Sequence, residues 1–134
     1  MQSVLEAEAV IGGPDHPTST ERVRNREKLR ILVAAKMAEL RIDAILYPLQ
    51  RVLPAKAGER DQPERNGVLS HGTGFPAVTF PGGFSEAGET APIGVPVGAE
   101  LLGLDYAEPR LLALAYAFDK AAGVRKPPVS VPAL

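Results

Sequence analysis

The stretch GFPAVTFPGGFSEAGETAPIGVPVGAELLG, residues 74–103, decides how this chain folds. Two apolar runs, AVTF and VPVGAELL, flank a polar segment over 85–90, the pattern of two strands joined by a hairpin tip. Strands are expected from Ala77 to Phe80 and from Val95 to Leu102, each mostly apolar on both faces as in a sheet interior. Pro76, Pro81 and Pro96 flank or start them, where a missing donor is tolerated. Gly82 and Gly83 mark a turn or bulge. No acid, base or nucleophile stands out in the stretch.

Upstream, Thr18 to Arg41 reads as a helix. Thr18 and Glu21 have capping-box spacing, and Leu29, Val33, Met37 and Leu40 recur at helical steps, with Ile31 and Leu32 widening the stripe. Arg22, Arg24, Arg26, Lys28 and Arg30 crowd its first turns, but Glu21 and Glu27 dilute them, the pattern of a solvated face. Asp43 to Tyr47, DAILY, is a short strand candidate that Pro48 stops. From Leu49 to Asn66 there is turn chemistry without a period, a loop long enough to expect that it covers or does something. Downstream, Pro109 opens a last helix whose stripe is Leu111, Leu114, Ala115 and Phe118 and whose stop is Gly123.

The chain has 134 residues, 45% hydrophobic and 23% charged, which fits one folded domain. A net charge of −1 gives no field for nucleic acid or anionic lipid. Zero cysteines exclude a disulfide framework and a thiolate nucleophile. Glu6 and Glu8 interrupt any secretory signal, and no run is long enough to span a bilayer, so a cytoplasmic location is expected. No metal site is expected from two histidines set apart.

The serines are Ser3, Ser19, Ser70, Ser85 and Ser130. Gly83-Phe84-Ser85-Glu86-Ala87 lacks the last glycine of a nucleophile elbow. Ser70 and His71 are adjacent and, in a strand, would point to opposite faces. Gly72-Thr73-Gly74 lacks the third glycine of a dinucleotide fingerprint.

Taken in order, Thr73-Gly74-Phe75-Pro76-Ala77, Pro81-Gly82-Gly83-Phe84 and Gly94 to Gly103 resemble the C-terminal part of amidase signature enzymes. The helix ending in Asp43 to Pro48 and the last helix through Pro128 extend the likeness over roughly Arg22 to Pro128. Glu100 stands where the family commonly has glutamine. The resemblance implies an α/β fold, here part of a large mixed β-sheet flanked by helices. Gly12, Gly13, Pro14 and Pro17 suggest a linker over 1–18, which leaves an amidase-like portion over 19–128 and a tail over 129–134. The resemblance also implies acyl transfer from amides by a serine, a second serine and a lysine, assisted by backbone N–H groups in a Gly- and Ser-rich run. No such run and no match for the lysine occurs in the sequence, so no catalytic residue, cofactor or metal is assigned, and this chain alone is expected to be inactive. The expectation is a C-terminal portion, a fragment or the product of a truncated reading frame, that walls one side of the cleft for a small amide. Asn66 and His71 are candidate polar contacts to that substrate, and Phe75 a candidate apolar wall. The alternative is a non-catalytic module that docks on a partner chain or pairs with a second copy through unpaired strand edges and apolar faces.

Overall fold

The computed structural model describes residues 17–56, 58, 64, 66–89 and 91–126. The expected tail over 129–134 and residues 1–16 of the expected linker, with His16, Ser3 and Ser130, lie outside them. Helix α1 spans Pro17–Leu40, strand β1 Ile45–Pro48, helix α2 Val68–Thr73, strand β2 Ala77–Phe84, strand β3 Pro96–Leu102 and helix α3 Glu108–Ala122. No described helix is long and apolar enough to cross a membrane.

The strands form one sheet in the order β1-β3-β2, antiparallel throughout. Leu102 lies opposite both Ile45 and Ala77, and Glu100 opposite both Tyr47 and Thr79. Because side chains alternate along a strand, Leu101 and Ala99 face one side while Leu102, Glu100 and Gly98 face the other. On the first side α3 covers Phe80, Leu101 and Val78 with Leu111, Leu114, Ala115 and Phe118, the stripe expected from the sequence. The Phe80 and Phe118 rings sit 5.0 Å apart, tilted by 57°, a favourable aromatic geometry. On the second side Val33 and Met37 of α1 close over Leu102 and Phe75, with Leu69 of α2 and Ile45 at the margin.

Local chemistry sets the ends of these elements. Pro17 takes the first helical position of α1, so Thr18 lies inside the helix instead of capping it. Its C-terminus is closed by Arg41 at φ 53°, with Ile42 N–H donating to Met37 O over 3.1 Å, a left-handed cap. Gly123 ends α3 in the same way, at φ 57° with its N–H on Asp119 O. Ser85 N–H donates to Val95 O over 2.9 Å and closes the β2–β3 hairpin.

Three expectations are corrected. The strand expected over Ala77 to Phe80 continues to Phe84, because a bulge between Pro81 and Gly83 absorbs the irregularity without ending the pairing. It is an outer strand, with Ala77, Thr79, Pro81 and Gly82 exposed, so only β3 has the two-sided burial expected of both. In α1 the buried residues are Val33 and Met37, while Ile31 and Leu32 are more than three-fifths exposed.

Candidate functional site

The Thr73-Gly74-Phe75 motif is a junction between helices. Thr73 is fully buried, and its Oγ1 donates to Leu69 O over 2.8 Å while accepting from Phe75 N–H over 3.2 Å. Its carbonyl, at the negative end of α2, accepts from Arg30 Nη1 over 2.9 Å and from Arg26 Nε over 3.2 Å. Gly74 adopts φ 67°, and a Cβ there would lie 1.8 Å from Arg26 Nη2. Arg30 also pairs with Asp105 and stacks 4.4 Å above the Phe75 ring. Two of the clustered basic residues thus hold the fold together.

One turn along the same side of the sheet lies a buried acid. Glu100 is 6% exposed. The Tyr47 hydroxyl donates to its Oε1, and Thr79 Oγ1 donates to its Oε2 over 3.4 Å. Both donors sit on its cross-strand partners, so register alone assembles the trio. Burial, followed by the Glu100 hydrogen bond, pushes the Tyr47 phenol up to about 12, while hydrogen bonding from Ser70 opposes the rise.

Beyond Glu100 the sheet opens onto two hollows that share Leu49 and Gln50. One, of about 420 Å³, is bounded by Leu49, Val52, Pro54, Val97 and Gly98. The other, of about 520 Å³, is bounded by Leu49, Gly67, Val68 and His71. The loop is pinned here: Leu49 N–H donates to Gly98 O over 3.1 Å and Asn66 N–H to Leu49 O over 3.0 Å. Gln50 Oε1 is buried and has no hydrogen-bond partner among the described residues.

The candidate contacts fall into two groups. His71 is exposed on α2 and lines the second hollow. Asn66, beside it, donates its Nδ2 to Pro48 O over 3.0 Å and so tethers the loop to β1. Phe75 is 6% exposed, in the core beneath Arg30, away from both hollows. Gln50 was not singled out from the sequence, where a glutamine in an aperiodic loop carries no signal.

Ser70 and His71 are not on a strand. Both lie on helix α2, where consecutive residues still do not face each other. Ser70 Oγ donates to Gly67 O over 3.3 Å, and Ser85 Oγ accepts from Val95 N–H and donates to Glu86 O. Among the described residues no group of three or more carboxylates and histidines is placed to hold a metal ion.

No family model matches the chain. A stretch of 61 residues, 46% of the chain, is 39% identical to a probable amidase of Arabidopsis thaliana, of which it covers 10%. The backbone is similar to the native peptide amidase of Stenotrophomonas maltophilia, with a TM-score of 0.66 and 27% identity over 87% of this chain and 23% of that one. It is similar also to a peptide amidase solved with the competitive inhibitor chymostatin, with a TM-score of 0.69 and 28% identity over 96% of this chain and 25% of that one. The chain thus spans about a quarter of the peptide amidase chains it matches. The likeness to the amidase signature family that its motifs carry is therefore present in its backbone as well, and the chain corresponds to a portion of an amidase.

Proposed function

We propose that this chain serves an amide-bond hydrolase, to which it contributes scaffold strands and one wall of the substrate cleft in the cytoplasm. The nucleophile and base lie on other polypeptide. The observation that carries the reading is the likeness to peptide amidases over nearly the whole chain but only a quarter of theirs. It accords with Ser70 and Ser85, whose hydroxyls bond to nearby backbone groups. Ammonia release from C-terminally amidated dipeptides tests it. The 134-residue chain by itself is expected to give none, and a polypeptide that joins it to a Gly- and Ser-rich serine/lysine portion is expected to give it. Equal release by the chain alone overturns the reading.

A second reading, docking on a partner chain or a second copy, is favoured by the outer flank of α1. There Leu32, Leu40 and Ile42 stay exposed around an apolar hollow of about 490 Å³, the kind of patch that marks an interface. Light scattering separates the readings, since a monomer at high concentration counts against self-association.

A further inference from the structure

Gly123 ends α3, and the chain beyond it brings Arg125 and Lys126 to the hairpin end of the sheet. There they border a third hollow, of about 310 Å³, whose apolar walls are Phe80, Phe84, Pro96 and Val97. It shares Pro96, Val97 and Gly98 with the first hollow but neither Leu49 nor Gln50. Phe84 and Val97 are half-buried, so their apolar surface is open to a bound molecule. The Lys126 Nζ lies 4.9 Å from the centre of the Phe84 ring, a cation–π contact that holds its charge beside the apolar wall.

The charges restrict what that molecule is. Arg125 and Lys126 are the only charged groups among the described residues that line the hollow, and neither has an ion pair among the described residues. Apolar walls with a few fixed polar groups, around a space of roughly 300–1,000 Å³, have the build of a small-molecule site. Two cations without an acid favour a ligand that carries two negative charges. A carboxylate brings one and leaves a cation unmet, whereas a phosphate monoester brings nearly two at neutral pH. The planar fork of an arginine bonds two phosphate oxygens at once, and a lysine adds a compact point charge. We propose that this hollow binds a small phosphate monoester, its apolar body against Val97 and Phe84 and its phosphoryl head held by Arg125 and Lys126. Nothing in this site depends on the chain serving an amidase.

Hexyl phosphate is the probe, titrated into the isotopically labelled 134-residue chain at low salt and followed by side-chain resonances. It is expected to shift the Val97 methyls and the Phe84 ring saturably while the Val33 and Leu111 methyls stay in place. Hexanoate, hexan-1-ol and inorganic phosphate are expected to bind at least about fivefold more weakly, since each lacks one charge, both charges or the apolar body. Arg125→Gln and Lys126→Gln are each expected to lose about fivefold, the upper end for one exposed charge pair. Both side chains are exposed, so the fold tolerates either change. Added salt is expected to weaken hexyl phosphate and leave hexan-1-ol unaffected. Equal binding of hexanoate or of inorganic phosphate, no saturable binding of hexyl phosphate, or an affinity unchanged in either variant overturns the proposal. Capture by vesicles containing phosphatidic acid without binding of the free ester also overturns it, in favour of a membrane surface.

Discussion

Strand β3 keeps different company on its two sides. Toward α3, Ala99 and Leu101 pack in an apolar cluster closed by a helix whose Leu111 is fully buried. Toward α1 and α2, the character changes along one strand: Leu102 is core, Glu100 is a buried acid held by Tyr47 and Thr79, and Gly98 borders an open hollow. The first side obeys only the rule that apolar area leaves water. The second trades part of that stabilisation for polar groups in fixed positions, which a site needs and a scaffold does not.

The largest effect should come from the apolar side. Leu111→Ala is expected to cost about 2–5 kcal/mol in urea unfolding, since the cavity it leaves lies between a helix and a sheet that cannot both relax. A much smaller loss would mean that this side is as loosely packed as the other. Gly74→Ala attacks the junction on the second side, where positive φ and the Arg26 side chain both oppose a methyl group. A loss of about 1–3 kcal/mol is expected by the same measurement.

The polar trio predicts a pH effect with a defined sign. Because folding raises the Tyr47 phenol from its ordinary 10 to about 12, the stabilisation linked to its proton is whole below pH 10 and is lost as pH rises through about 12. Phenolate absorbance should show one tyrosine titrating late, and Tyr47→Phe should remove it. Glu100→Gln should bring its midpoint part of the way back, leaving the larger share that burial causes. The smallest change is expected of Asp43→Asn, which breaks an ion pair with Arg110 whose side chains are 66% and 60% exposed. Unfolding should move by roughly 0–1 kcal/mol, and a larger value would give β1's approach to α3 more weight than solvent allows.

Much of the scaffold was legible because its signals are local. Pro109, the Leu111 stripe and Gly123 specify α3 within fifteen residues, and Gly82-Gly83 announces the bulge. Helix α2 was missed because its six residues have no apolar period and its C-terminal carbonyl is held by arginines 43 and 47 positions away. The same distance effect hid the Arg30 guanidinium stacked on the Phe75 ring. The loop's length pointed to the stretch that borders the two hollows. Gln50 stayed invisible because an unmet acceptor exists only relative to neighbours that tertiary structure supplies.

Arg30 has one more consequence. Its guanidinium clasps segments 43 and 75 positions further along the chain, Thr73 and Asp105, while β2 and β3 are joined by the nearer connection over 85–95. Contacts that close such long stretches of chain form late, after the hairpin has paid no comparable entropy. Arg30 therefore acts as a latch in time: trimming it should hasten the opening of the native molecule and leave the rate at which it assembles almost unchanged.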